Sequence, residues 1–154
     1  MFGSNQSRGF TLLEIVLVVL ILGILALAVA PVIGRTVGGV GIKTEALRLA
    51  EDIRYTQHAA FSEGQNFRLA LDTSTGSYRV YPVGHTGDVR KEAEMGDSVA
   101  GISSSDLPTD EDMTYITYLP TGAPSQAGSI TLSNDSGGSI SVIIALGTGR
   151  VRVQ

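Results

Sequence analysis

The chain has no cysteine among its 154 residues and only two histidines. Without cysteine the protein forms no disulfide, binds no zinc through thiolates and carries out no thiol catalysis. This absence does not fix the cellular compartment, because exported proteins can also lack disulfides. Acidic residues outnumber basic residues, 15 to 11, and the net charge of −4 provides no general basic field to attract nucleic acid.

The sequence also lacks the patterns that are typical of catalytic and metal sites. His58 and His85 lie in no recognisable catalytic context and no nucleophile elbow occurs, so we expect no enzyme and no catalytic residue. Acidic residues cluster at Asp106 and at 110–112, but they lack the alternating ligand spacing and the glycine of an EF-hand loop. We interpret them as a solvated loop, and we expect neither a metal nor a cofactor.

Hydrophobic residues are concentrated near the N-terminal end. Residues 15–33 form an uncharged run of 19 residues, and a helix of this length measures roughly 28 Å, close to the thickness of a bilayer's hydrocarbon core. The run is longer than the core of a secretory signal, and its Ala-Val-Ala stretch is followed by Pro31, which disfavours cleavage. We therefore predict a retained membrane anchor, and Arg8 before it favours a cytoplasmic N-terminus.

Glu14 is an acidic residue at the start of this apolar segment. A carboxylate at membrane depth is costly unless it is paired. If the chain is cut between Gly9 and Phe10, the new α-amino group lies four residues before Glu14, one helical turn away. The amine of the same chain or of a neighbour can then neutralise the carboxylate. A neighbour's amine does so only when subunits stack in register, so Glu14 would sense correct assembly.

The stretch Gly9-Phe10-Thr11-Leu12-Leu13-Glu14, after a short leader and before an apolar helix, resembles the class III signal of type IV pilins and pseudopilins. The resemblance implies that the prepilin peptidase, a membrane enzyme, cuts after Gly9 and methylates Phe10. It also implies that Glu14 is the assembly residue. Pro31 matches the proline that kinks the helix in similar pilins.

The residues after the apolar run predict a weakened and then an amphipathic helix. Four glycines in residues 34–41 each weaken a helix by about 1 kcal/mol, which predicts a hinge or a melted stretch. Residues 42–64 regain a helical period, and Gly64 is the expected end of the helix. Leu47 and Phe61 flank the apolar stripe. The stripe itself consists of Ile42, Ala46, Leu49, Ile53 and Ala60.

After residue 64 the hydrophobic period changes to two, which is typical of β-strands. Residues 66–72 and 77–83 predict a β-hairpin around the turn TSTG. Residues 84–112 predict a long charged loop, with one short strand near 98–102. Further strands are predicted in MTYITYLP, GSITLSN, SISVIIAL and RVRV. The segment SISVIIAL is apolar on both faces, so we predict a central strand that is buried on both sides.

The predicted fold is α+β, a long N-terminal hydrophobic helix of the pilin type packed on an antiparallel β-sheet or a small β-sandwich. The expected parts are a leader peptide (1–9), a transmembrane and filament-core helix (10–33), a glycine-rich hinge (34–41), an amphipathic helix (42–64) and a periplasmic β domain (65–154).

The strand series and the closing GTGRVRV resemble the H-type minor pseudopilin family, the GspH/FimT group. This resemblance implies a structural subunit of the type II secretion pseudopilus, which takes part in protein export across the outer membrane. It implies a single-pass anchor in the bacterial inner membrane with the C-terminal domain in the periplasm. The implied partners are other pilins or pseudopilins in a filament, the prepilin peptidase and the inner membrane.

Arg150 and Arg152 leave a second function open. They lie two residues apart, so on a strand they share one face and can grip adjacent phosphates. FimT-type minor pilins of type IV pili, which help bacteria to take up DNA, carry a Gly-Arg-x-Arg motif near the C-terminus, and Gly149, Arg150 and Arg152 match it. The alternative is therefore DNA binding during natural transformation. Two arginines on an acidic protein would bind DNA weakly, and an exposed strand face with salt bridges to the acidic domain is the favoured interpretation.

Overall fold

The computed structural model describes the backbone of residues 11–154 and the side chains of residues 11–26 and 39–154. The chain divides into two units, Met1–Thr36 and Val37–Gln154. The boundary between them falls inside the glycine-rich stretch 34–41. The predicted leader 1–9 and its cleavage site at Gly9 and Phe10 lie outside the described residues.

A single helix, α1, spans Leu12–Glu63. It is continuous through residues 34–41, so the four glycines weaken the helix without ending it, and the hinge remains a prediction. Gly64 follows the last helical residue with a φ of 67°. Glycine adopts this left-handed conformation without a steric penalty, which confirms the predicted helix end.

The predicted membrane segment 10–33 is described only in part, because residue 10 and the side chains of residues 27–33, including Pro31, lie outside the described set. Among the residues that the structure describes, no helix is long and apolar enough to cross a membrane.

Two antiparallel sheets follow the helix. Their strands are β1 (Phe67–Asp72), β2 (Ser77–Pro82), β3 (Lys91–Glu94), β4 (Gly101–Ser105), β5 (Thr109–Asp110), β6 (Met113–Tyr118), β7 (Gly128–Ser133), β8 (Ser139–Ile144) and β9 (Val151–Val153). The first sheet has the order β3-β2-β1-β6-β5 and the second has the order β4-β7-β8-β9. The predicted α+β class is confirmed.

The predicted hairpin forms between β1 and β2, with Leu69 opposite Val80. Asp72 closes its turn, because its Oδ1 accepts hydrogen bonds from the hydroxyl of Ser74 at 2.6 Å and from the backbone N–H groups of Ser74 and Thr75 at 2.8 and 3.1 Å. These bonds, with the Ser74 hydroxyl contributing most, lower the pKa of Asp72 to about 2.

The hydrophobic core joins α1 to both sheets. The predicted helical stripe of Ile42, Ala46, Leu49, Ile53 and Ala60 is buried, as are Phe67, Leu69 and Leu71 on β1. Strands β7, β8 and β9 contribute Ile130, Leu132, Val142, Ile144 and Val151 to the same cluster. Leu47 and Phe61 flank the buried stripe and remain exposed.

The long loop predicted over residues 84–112 is wrong in part, because it contains β3, β4 and β5. Strand β3 has the sequence Lys-Glu-Ala-Glu and offers no apolar alternation to predict it. It forms because it pairs with β2 at the sheet edge, while Arg48 of α1 donates a hydrogen bond to the Glu94 carbonyl at 3.2 Å. The strand expected near 98–102 is β4, which begins at Gly101.

The expectation that both faces of SISVIIAL are buried is also wrong. On β8 the side chains of Val142 and Ile144 are buried, but Ile143 is half-buried and Ala145, just after the strand, is exposed. The core packs against one face of the second sheet only, so the alternate residues of β8 face outward.

Candidate functional site

The start of α1 holds the predicted assembly residue. Glu14 lies in the first helical turn and its backbone N–H donates a hydrogen bond to Thr11 Oγ1 at 3.3 Å. The Thr11 carbonyl also accepts bonds from the N–H groups of Glu14 and Ile15. Thr11 is therefore the N-cap, a role that the sequence analysis missed although Thr-x-x-Glu is a known helix-start spacing.

Exposed apolar side chains surround the helix beyond Glu14. Large hydrophobic residues from Leu12 to Leu25 leave about half or more of their surface uncovered. Residues 15–22 are consecutive members of this set, so the helix is apolar on every side there. An exposed apolar surface of this kind is typical of a site of contact with other proteins or with a membrane.

The structure places Arg150 immediately before β9 and Arg152 within it, and both are exposed. Arg152 pairs with Ile143 across the ladder, while the Arg150 carbonyl accepts a hydrogen bond from the Ala145 N–H at 3.0 Å. Both arginines therefore lie with Ile143 and Ala145 on the outer face of the second sheet, whereas Val151 between them is buried. The two side chains share one face.

Gly149, the glycine of the Gly-Arg-Val-Arg stretch, has a structural role of its own. Its φ is 62°, and a Cβ there would lie 3.0 Å from both the Gly122 carbonyl oxygen and a ring carbon of Tyr118. Gln57 of α1 contacts the turns that contain Gly122 and Thr148. Its Nε2 donates hydrogen bonds to the carbonyls of Gly122 at 2.7 Å and Thr148 at 3.3 Å. This packing requires glycine at position 149 whether or not the arginines bind a ligand.

Two surface depressions meet at Thr148, and we call them together the arginine groove. The first, about 450 Å³, lies between Arg54, His58 and Phe61 of α1 and the turns 121–123 and 147–148. The second, about 410 Å³, is lined by Ile143, Ala145, Thr148, Arg150, Arg152 and Gln154. No motif in the sequence relates Arg54 to Arg150, because only the tertiary fold brings α1 beside the C-terminal strand.

The histidines and acidic residues that could serve in catalysis or metal binding lie on different elements of the structure. His58 is exposed on α1 and His85 is exposed in the loop after β2. The acidic residues Asp106 and 110–112 are exposed as well, although Asp110 belongs to strand β5 and not to a loop. Among the residues open to description, no three His, Cys, Asp or Glu side chains are grouped so as to hold a metal ion.

Sequence profiles of known families match both parts of the chain. The profile of the prokaryotic N-terminal methylation motif matches residues 4–30. The profile of the type II transport protein GspH matches residues 45–149, which is more than half of the chain. No curated protein sequence matches the chain significantly.

Solved structures with a similar fold include a minor pseudopilin and a type IV minor pilin. The minor pseudopilin EpsH of the Vibrio cholerae type II secretion system gives a TM-score of 0.58 at 12% identity, covering 74% of this chain and 96% of EpsH. The type IV minor pilin FimU of Pseudomonas aeruginosa gives 0.56 at 10% identity, covering 73% of this chain and 91% of FimU. At these identities the likeness establishes the fold.

The family assignment rests on the profile match, and the fold agrees with it. The chain belongs to the GspH family of type II transport proteins.

Proposed function

We propose that this chain is a minor pseudopilin of type II secretion. Its helix α1 is held first by the inner membrane and then by the helices of neighbouring subunits in the periplasmic pseudopilus. The observation that carries the proposal is the surface of residues 15–22, which is apolar on every side and exposed. Both the bilayer and the filament core bury such a surface. A subunit can therefore pass from one to the other without exposing much apolar surface to water.

The proposed division of labour follows the chain. Residues 1–9 are a leader that is removed, residues 10–33 anchor the subunit in a single pass, and residues 34–41 act as a hinge. The amphipathic segment 42–64 joins the anchor to the β domain 65–154, which lies in the periplasm. The work is mechanical, and we propose no catalytic residue, metal or cofactor.

We further propose that the prepilin peptidase cuts between Gly9 and Phe10 and that Phe10 is methylated. The N-terminal methylation motif matched over residues 4–30 supports this proposal. The cut would leave a positively charged amine one residue before the Thr11 N-cap, where the helix dipole disfavours positive charge. Glu14 in the first turn offsets that charge, either within the chain or between stacked subunits.

The variants Glu14→Gln and Thr11→Ala test this proposal as a matched pair. Glu14→Gln removes the charge but keeps the shape, so we expect normal cleavage and methylation but at least about tenfold less subunit in the filament. Thr11→Ala removes the cap, costs about 1 kcal/mol of helix stability and keeps the charge, so incorporation should fall less. Mass spectrometry of the mature N-terminus and quantification of the subunit in sheared pseudopili measure both steps.

Normal incorporation of the Glu14→Gln subunit would contradict the charge-pairing role. Mature filaments that contain the subunit with residues 1–9 still attached would contradict the processing step itself.

The second candidate function is that of a DNA-binding minor pilin of the FimT type. The observation that favours it is the exposed position of Arg150 and Arg152 on one face. A gel-shift comparison with the Arg150→Ala/Arg152→Ala double variant tests it. If the unmutated protein does not bind DNA at low salt, this candidate is excluded.

A further inference from the structure

We propose that the arginine groove binds an extended acidic segment of a neighbouring filament subunit. This inference rests on the proposed function, because it names the kind of contact that one subunit makes with the next.

The first support is that no ion pair among the described residues neutralises the arginines of the groove. Ion pairs among the described residues involve Arg48, Arg79, Arg90 and Lys91, and none of them includes an arginine of the groove. Arg54 uses Nη2 to donate to the Val151 carbonyl at 3.1 Å, which leaves its other N–H groups available. Of the described residues that line the two depressions, none is acidic.

The second support is the spacing of the charges. Arg150 and Arg152 are alternate residues on the outer face, so roughly 7 Å separates their Cα atoms. Carboxylates at alternate positions of an extended segment have the same spacing. Such a segment, laid along the groove past Thr148, would present its next residues to Arg54 and His58. This match specifies acidic residues at i and i+2 in the partner.

The third support is the apolar part of the groove. Phe61 is 68% exposed at one end, and Ile143 and Ala145 line the other end. A peptide can fill these places with apolar side chains between its acidic residues. A nucleic acid would gain only a few phosphate contacts, and the net charge of −4 would oppose its approach. The groove therefore favours an acidic peptide over DNA.

The chain itself contains a segment of the required chemistry. Residues 105–113, SDLPTDEDM, place Asp110 and Asp112 at alternate positions with Leu107 nearby. Because the partner subunit is not identified, a labelled synthetic peptide of this sequence is the probe. The matching control peptide carries Asn and Gln in place of its Asp and Glu residues.

The binding experiment uses the full chain in detergent micelles and fluorescence anisotropy. We expect the acidic peptide to bind and the amide peptide not to bind. Arg150→Gln/Arg152→Gln should weaken binding by about tenfold or more, because charge-assisted hydrogen bonds are lost. Arg79→Gln, which removes the same charge from an exposed site on β2, should change it by about twofold or less.

Three results would overturn the inference. They are no binding of the acidic peptide, equal binding of the amide peptide, and preferential binding of duplex DNA with the same dependence on Arg150 and Arg152. Neither arginine side chain has a hydrogen-bond partner among the described residues, so their loss should leave the fold intact. The Arg150→Gln/Arg152→Gln and Arg79→Gln variants keep the N-terminal signal and Glu14. A negative result for peptide binding therefore does not contradict the proposed role in the filament.

A cross-linking experiment in assembled pseudopili tests the same contact in place. The chain has no cysteine, so Thr148→Cys introduces a single attachment point for a photoactivatable cross-linker. We expect it to join a segment of another subunit that carries acidic residues at alternate positions, identified by mass spectrometry of the linked peptide. Ser136→Cys, in the exposed turn before β8, is the control. No cross-link from position 148, or a link to a segment without such acids, would contradict the proposal.

Discussion

Asp52 is an acidic residue that is buried between α1 and the first sheet. It is 2% exposed. Its Oδ2 accepts a hydrogen bond from the Tyr78 hydroxyl at 2.7 Å, and its Oδ1 is paired with the Lys91 ammonium. The pair ties the edge strand β3 to the helix, which helps to explain why a strand of such polar sequence forms at all. A buried carboxylate without its cation is strongly destabilising.

We predict that Lys91→Met lowers the free energy of unfolding by about 2 kcal/mol, less than for a fully buried pair because Lys91 is partly exposed. Adding Asp52→Asn should recover part of the loss, since the unpaired charge is then gone. Arg79→Met, which breaks an exposed pair with Glu92, should cost less than about 0.5 kcal/mol. Urea unfolding followed by circular dichroism measures all three variants. Equal losses for Lys91→Met and Arg79→Met would contradict this account.

Helix α1 contains glycines that differ in their surroundings. A Cβ added at Gly39 would meet nothing within 4 Å, whereas one added at Gly41 would lie 2.7 Å from Ser98 Cβ. Gly41 is therefore explained by close packing of the helix against the segment before β4. Packing does not explain Gly39, which is consistent with its proposed place in a hinge.

We predict that Gly39→Ala raises the free energy of unfolding by up to about 1 kcal/mol, through helix propensity alone. Gly41→Ala should lower it, because the clash with Ser98 outweighs the same gain in propensity. The double variant Gly41→Ala/Ser98→Gly should recover the loss, since it removes the clashing atom. Thermal unfolding of the full chain in detergent distinguishes these outcomes, and an equal stabilisation by both alanines would show that the contact is unimportant.

Among the elements, those with a strong hydrophobic period could be predicted from the sequence. This period predicts the helical stripe of residues 42–60, the hairpin β1–β2 and the strands β6 to β9. Strand β3 could not be predicted, because ion pairs and hydrogen bonds to distant residues stabilise it. The burial of β8 was predicted wrongly for a related reason, since apolar residues on both faces do not show which face has a neighbour.

The acid and alkaline limits of stability concern the β-rich unit as a whole. Hydrogen bonds lower the pKa of Asp72 from 3.8 to about 2, so its contribution is present above pH 3.8 and is lost as the pH falls towards 2. Burial raises the pKa of Tyr78 and Tyr118 above their ordinary value of 10.0, and Tyr78 is further raised by its hydrogen bond to Asp52. Their contribution is present below pH 10 and is lost as the pH rises above it.

We therefore predict that the free energy of unfolding is nearly constant at intermediate pH and falls at both acid and alkaline pH. Asp72→Asn should reduce the slope of the acid side, and Tyr118→Phe should reduce the slope of the alkaline side. The urea midpoint, measured across this pH range, checks both predictions. If the loss of unfolding free energy at acid pH is the same with Asp72→Asn, protonation of Asp72 does not affect stability and the prediction is wrong.

The sequence by itself determined the helix, the α+β class and the resemblance to pilin-like subunits, because these depend on local periodicity and on a short contiguous signal. It predicted the site residues Glu14, Arg150 and Arg152, though not the N-cap role of Thr11. Only the tertiary structure decided which face of the second sheet is covered, why residue 149 must be glycine, and that Arg54 lies beside the C-terminal strand. These features depend on contacts between residues distant in the chain, for which no local pattern exists.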